Sequence, residues 1–572
     1  MFFNTLIFTS MSFLVILSTL GYGLVFCNKV FQDSRYLNLP FVGIFGIFFL
    51  YIISSITHLV APHNFLHNIL LLTIGILIFI NFFKRKLVEK KDFKIIIIIF
   101  LCLFLGFLIS KTNEDFSYYH LPNSLQFSSN KLEFGLGNLN HGFKHFSSIF
   151  LINSIFYFPY TEVYLFNITN FMLQIFFFSG LILLIHKKGL NNFSKALAAL
   201  SLITFIVKFY RLSEYGADYL GQFLVLLSFI FASLTFSKNN MIAKERKQLF
   251  LISMLLVIFA TTTKFLYAIY IIIPVTIFIY RYKLKEIFTY LFDRNFLIIS
   301  SISIFSIILF NFTSTGCLLY PILFTCFTDS IDWSISENAI RYLNLHYKAW
   351  SKAGIGTGYG TSNPQEYISG LNWVENWTRM YFFNKVSDYI LVVLLVSIIF
   401  VIYLNKNFKN SNKLNLNNKI SKISYISILV VFLLWFFNFP TLRYAGYSIV
   451  FLLFAVPVAI FLSKKLNFKD KKILKKLNTL IILALFIFNI KNIDKINKEL
   501  SLKSHEHHNF LNFPFFWIDN VEYEKALIKE KFFYEVTNNK PCWNVPSTCI
   551  RNKSSIIIEK NNNYYFYKQN EK

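Results

Sequence analysis

Stretches of about 20 apolar residues, each long enough to cross a bilayer as a helix, recur from Phe3 to Asn489 with short polar breaks between them. No other feature constrains the fold as much. In lipid a segment must satisfy its own backbone hydrogen bonds, so an open chain of such segments can span only as helices. The sequence predicts about fourteen spans, with an uncertainty of about two; the first runs from Leu6 to Phe26 and the last from Leu477 to Ile490. A chain that is 55% hydrophobic and only 15% charged excludes a water-soluble fold. The expected architecture is an all-α polytopic membrane bundle of about 12–14 transmembrane helices, with extracytoplasmic loops and a small C-terminal appendage.

A net charge of +27 invites nucleic acid as a partner, but the basic residues do not gather on one soluble domain. They sit in alternate connecting loops: Lys84 to Lys91, Lys187 with Lys188, Lys244 to Lys247, Arg281 to Arg294, Lys406 to Lys422, and Lys464 to Lys476. The positive-inside rule makes these loops cytoplasmic and accounts for the charge without nucleic acid. The N-terminus, residues 111–158, the short segment Lys208 to Asp218, residues 313–388 and the tail then lie outside. The predicted organisation is a membrane domain over residues 1–490 and a small extracytoplasmic domain over 491–572. The first span has no basic residues before it and no small-residue cleavage site after it, which predicts a retained helix.

Four of the six cysteines fall in outside segments as two close pairs, Cys317 with Cys326 and Cys542 with Cys549. An oxidising compartment favours two local disulfides.

The polar chemistry concentrates at the outer ends of spans. The segment SKTNEDFSYYHLP places Glu114 and Asp115 just after the fourth span, followed by aromatics and His120. A carboxylate beside apolar walls is a stronger proton acceptor than one in water, so the pair is either a base or a solvated acidic loop. In the same loop His141 and His145 lie four apart and, with His120 and Asp115, compose a candidate divalent metal site. The next outside segment, KFYRLSEYGADYL, offers Glu214 or Asp218 as a second carboxylate and Lys208 or Arg211 as a phosphate contact. Lys264 interrupts an apolar run at the outer junction of two short spans, where ionisable residues usually face a cavity. In NFPTLRYAGY, Arg443 stands at an outer helix start, and its planar fork suits a phosphate.

Early acidic residues, a late outside arginine and long outside loops on many helices together resemble the GT-C class of polyprenyl-phosphate-dependent glycosyltransferases. EDFSYYHLP, STGCLLYP, LRYAG and PCWNVPSTC are more closely similar to a bacterial family of multi-pass envelope proteins that is itself GT-C-like. The resemblance implies that Asp115, with Glu114 as competitor, activates the acceptor hydroxyl and that Arg443 holds the lipid phosphate, with Lys264 beside it. Glu214 or Asp218 matches the second-loop acid of many members. It also implies a polyprenyl-phosphate sugar as donor, an envelope glycan, lipid or protein as acceptor, inversion at the anomeric carbon, and an optional Mg or Mn ion. The expected location is a bacterial inner membrane with the active face in the periplasm. Three other functions compete: a lipid-linked oligosaccharide polymerase or ligase, a non-catalytic transporter or flippase of envelope glycolipids, and a receptor or scaffold whose Tyr- and Trp-rich loop from Tyr342 to Tyr381 binds glycan without catalysis. The mid-span segments are almost free of the ionisable residues a transporter carries.

Overall fold

The computed structural model describes residues 2–32, 34–108, 115–212, 216, 218–237, 241–328, 330–353, 361, 363–405, 418–501, 518–537, 540–551, 556–562 and 564–569. Each apolar stretch read from the sequence is helical over most of its length. Among the described residues, nine helices are long and apolar enough to cross a membrane, and three shorter apolar helices, Leu220–Phe236, Phe265–Arg281 and Lys422–Asn438, stand among them. Lys90–Phe107 begins on lysines and Asn192–Lys208 ends on one. The protein is a multi-pass helical membrane protein.

Burial sorts the helices into a centre and a rim. Ile168–His186 is buried along nearly its whole length, whereas in Phe65–Lys84 only Asn68, Gly75 and Phe79 are buried, and Leu70 and Leu77 face outward. An apolar outer face is what a helix bathed in lipid requires. Lipid tails give helices little hydrophobic reason to associate, so close backbone packing must hold them together. The first helix shows how: a Cβ on Gly21 would stand 2.0 Å from the carbonyl oxygen of Gly75, and one on Gly23 would stand 2.1 Å from that of Val42.

The helix Ala243–Thr263 fixes the two ends of the bundle. At its start, Glu245 pairs with Arg35, Arg246 with Glu286 and Lys247 with Asp293. At its far end, Lys264 terminates the helix with extended backbone. Its 21 residues separate the ends by about 30 Å. The basic residues at the start of this helix thus lie at the opposite end of it from Lys264.

Two disulfides form, Cys317–Cys326 and Cys542–Cys549. The tail is a small β structure: β1 (Tyr523–Ile528) runs antiparallel to β2 (Lys531–Val536), and β2 runs parallel to β3 (Cys549–Ile550). A separate antiparallel pair joins β4 (Ile556–Asn561) to β5 (Tyr564–Gln569). The tail is docked on the segment that follows the helix Lys90–Phe107. Phe134 exchanges backbone hydrogen bonds with Tyr565 and Tyr567 at 3.0 Å each, Trp543 donates its backbone N–H to the Ser117 carbonyl, and Lys531 forms a buried ion pair with Glu133. Gln126 donates to the other Glu133 oxygen at 2.6 Å.

That ion pair makes docking testable. Lys531→Met should leave Glu133 buried without its cation and destabilise the docked tail by about 3–5 kcal/mol, whereas Lys531→Met combined with Glu133→Leu should recover most of the loss. Hydrogen exchange across β2 and residues 126–136 in wild type and both variants measures this.

Candidate active site

Four charged side chains from four separate segments meet at one point. Arg443 donates through Nε to Asp218 Oδ2 at 2.7 Å, and its other arm pairs with Asp115. Lys264 pairs with the second oxygen of Asp218. The Lys264 ammonium also stands 4.2 Å from the centroid of the Tyr444 ring. The cluster holds two cations and two carboxylates, and it opens into a cavity of about 760 Å³ whose lining includes all four residues.

The sequence builds each position locally. Arg443 lies in Leu442–Gly446, where Ala445 adopts φ +64° and turns the chain into the helix Tyr447–Lys465. Four side chains hold this turn. Gln222 donates to the Leu442 carbonyl at 2.8 Å, and Tyr381 accepts from the Leu442 N–H at 2.9 Å. Trp377 donates to the Pro440 carbonyl and Trp435 to that of Thr441. Gly446 is required because a Cβ there would meet the Trp435 ring at 2.6 Å. Asp218 is fixed through its backbone: the Tyr267 hydroxyl donates to its carbonyl, and the Tyr267 ring fills the space that a Cβ on Gly221 would need. Asp115 begins the helical turn Phe116–His120, which is anchored by the burial of Phe116 against Leu121, Val163, Phe166 and Trp543.

The two carboxylates differ in character. The side chain of Asp218 is 10% exposed and that of Asp115 31%. Burial pushes the Asp218 carboxyl up, but Arg443 and Lys264 beside it prevail and hold it well below the usual carboxylate range. Asp218 is therefore a fixed anion that orients both cations, and Asp115 is the carboxylate an incoming group can reach.

The far wall of the cavity carries different chemistry. The helix Glu337–Ser351 sends Tyr347 inward, where its hydroxyl lies 3.0 Å from His141 Nε2 and 2.7 Å from His145 Nε2. A phenol has one proton, so it donates to one imidazole and accepts from the other, which puts the two rings in opposite tautomers. Burial is the main force that pushes His141 down to about 4 and His145 to about 3, so both are neutral at physiological pH.

Several expected site residues stand elsewhere. His120 packs behind Tyr119, with ring centroids 4.4 Å apart, and against Phe150, and it does not line the cavity. Burial pushes it down to about 4, with Asp115 and Asp218 opposing. Arg211 is exposed beside Tyr210 and also stays outside the cavity. Glu114 and Glu214 lie outside the described residues. The metal quartet drawn from Asp115, His120, His141 and His145 does not assemble. Among the described residues no three His, Cys, Asp or Glu side chains converge as ligands, and Arg443 stands between the two carboxylates. A divalent ion needs several oxygens turned on one point, so the described donor set does not fit a resident one. Tyr347 and Tyr444 had no individual signal in the sequence, although Tyr347 falls within residues 313–388 and Tyr444 within LRYAG.

Residues 5–450 match the model of a family described as Domain of unknown function (DUF8201). The chain belongs to that family. The match takes in all four charged residues of the cluster, whereas the β-stranded tail lies beyond it. No curated protein and no solved structure matches the chain.

The two neutral histidines predict acid sensitivity. An unfolded histidine titrates near about 6.5, so below that value the unfolded chain binds protons that folded His141 and His145 refuse until about 4 and about 3. Stability present above pH of about 6.5 is lost as pH falls through this window. The unfolding temperature in lipid nanodiscs should drop on acidification, and His145→Asn should flatten that drop; an identical pH profile in the variant would contradict this account.

Proposed function

We propose that the protein is a GT-C-like membrane glycosyltransferase that transfers a sugar from a polyprenyl-phosphate donor to a hydroxyl acceptor on the extracytoplasmic face of a bacterial inner membrane. The observation that carries this reading is the meeting of Asp115, Asp218, Lys264 and Arg443 on one cavity at the end of the bundle opposite the basic loops. A lipid-linked donor can be presented only from the bilayer, so its anomeric carbon arrives at the interface. The cavity is lined there by apolar groups, Ile307, Phe265, Leu266 and Phe439, as well as by the charges.

The resting cluster is electrically balanced, and this determines how a donor engages it. A phosphate entering the cavity competes with Asp115 for the exposed arm of Arg443, while Asp218 keeps Arg443 and Lys264 in place. The exchange does two things at once: it gives the phosphate a planar donor pair, and it releases the Asp115 carboxylate. Asp115 then takes the proton of the acceptor hydroxyl as its oxygen attacks the anomeric carbon. The bond from that carbon to the phosphate oxygen breaks, and the electron pair leaves with the phosphate. The charge growing on the leaving phosphate is met by the fixed cations Arg443 and Lys264. One displacement inverts the anomeric centre.

A polymerase or ligase would share the donor and the cavity and differ in the acceptor. A flippase would need ionisable groups along the membrane interior, whereas this cluster sits at the ends of its helices.

The test is transfer of radiolabelled sugar from a panel of polyprenyl-phosphate sugars by purified protein in lipid. Asp115→Asn should lower turnover by about 10²-fold or more while lipid-phosphate binding is kept or strengthened. Arg443→Ala should lose both turnover and phosphate binding. Absence of turnover with every donor would overturn the reading. Asp218→Asn separates the roles of the two acids, because it should lower thermal stability as well as activity, whereas Asp115→Asn should leave stability near wild type.

A further inference from the structure

We infer that the helix Glu337–Ser351 is the acceptor-binding element and that its ligand is a glycan chain that enters the cavity along a ladder of aromatic rings. This rests on the glycosyltransferase reading above and adds the chemical class of the acceptor and the path it takes.

Residues Tyr342, His346 and Trp350 are spaced by four along the helix and so share one face. Their rings follow one another at 6.1 Å, with interplanar angles of 29° and 31°. Tyr342 is 66% exposed and Trp350 40%. His346 and Trp350 line the cavity and Tyr342 does not, so the ladder leads from the cavity to the surface. The opposite side of the helix is anchored: Ile340 is buried with Cys317 and Ile335, beside the Cys317–Cys326 loop, and Asn344 donates to the Pro321 carbonyl at 3.2 Å. Two exposed rings and the half-buried His346 between them are thus held in place by a pinned helix.

Two chemistries on this helix match the two surfaces of a sugar. The C–H face of a pyranose is apolar and broad, and it can lie on an aromatic ring; the three rings provide successive platforms. The hydroxyl edge needs donors and acceptors in alternation. The Tyr347 phenol occupies the Nε2 atoms of His141 and His145 and fixes opposite tautomers, which leaves an Nδ1–H on one ring and an Nδ1 lone pair on the other, and both rings line the cavity. This wall faces the cavity that Asp115 also lines, so a chain end seated on it offers a hydroxyl to the proposed base. An aromatic anchor in the lipid interface would use the exposed rings alone; the inward trio of Tyr347, His141 and His145 favours the glycan.

The experiment is direct binding of neutral hexose oligosaccharides, from mono- to tetrasaccharides, to the full chain in nanodiscs, read by Trp fluorescence and by saturation-transfer NMR. In parallel, polyprenyl-phosphate binding is read by competition with labelled donor. Affinity should rise with oligosaccharide length in the wild type. Tyr342→Ala with Trp350→Ala should weaken tetrasaccharide binding by about tenfold or more and leave donor binding unchanged. Trp350→Phe should restore much of the affinity, and Tyr347→Phe should weaken even monosaccharide binding while donor binding is kept. Wild type that binds no oligosaccharide, or ladder variants that bind as wild type does, would overturn the inference. Length-dependent glycan binding lost in the ladder variants, with no transfer from any donor, would support it while removing the enzymatic reading.

Discussion

The Asp218 carboxylate is the interaction on which the outer end of the molecule depends. It binds Arg443 from one outside turn and Lys264 from another, and Arg443 in turn holds Asp115 from a third segment. A carboxylate this buried is tolerable only because two cations face it. The cations in turn lie close together only because the anion lies between them. Removing Asp218 from this arrangement would leave Arg443 and Lys264 to repel each other at a site with little water. The convergence is also a statement about topology: four segments that meet at one point must leave the bilayer on the same side.

Around this cluster the chain relies on backbone proximity more than on side-chain bulk. Gly221 makes room for the Tyr267 ring that reaches the Asp218 carbonyl, and Gly446 makes room for Trp435 beneath the Arg443 turn. Both glycines flank a charged site residue within a few positions, and both admit an aromatic that donates to a main-chain carbonyl. In a membrane protein an unsatisfied carbonyl costs several kcal/mol, so breaking a helix to present Arg443 requires compensating donors. Gln222, Trp377 and Trp435 supply them. The irregular backbone that aims the arginine is stable because its polar groups are answered from neighbouring helices.

How much of this was legible in the sequence follows from the range of the forces involved. The spans could be read because an apolar stretch in lipid has essentially one way to satisfy its backbone. Asp115, Asp218, Lys264 and Arg443 stood out because ionisable residues at the outer ends of spans are few, and the positive-inside pattern assigned them to one side. Which of the acids would be buried could not be read, since that depends on how Arg443 from 225 residues away divides its two arms. His120 shows the limit from the other direction. Its loop is polar, but the face of a short helical turn is set by tertiary packing, and here Phe116 and Phe150 draw it inward. Pairing His141 with His145 from their spacing was sound, yet the group that completes them is Tyr347, 206 residues from His141. No local pattern announces such a partner, and its presence turns a supposed metal pair into a neutral hydrogen-bonding wall.

In the proposed reaction the pairing within the cluster also ties the base to its substrate: Asp115 rests on the Arg443 guanidinium, so an acceptor hydroxyl arriving alone meets a carboxylate already held by a cation. Only a ligand that brings its own negative charge can take Asp115's place on the guanidinium, and in the proposed reaction that ligand is the donor phosphate. Binding order in the proposed reaction then follows from electrostatics: the donor enters first, the base is released by its phosphate, and the acceptor follows.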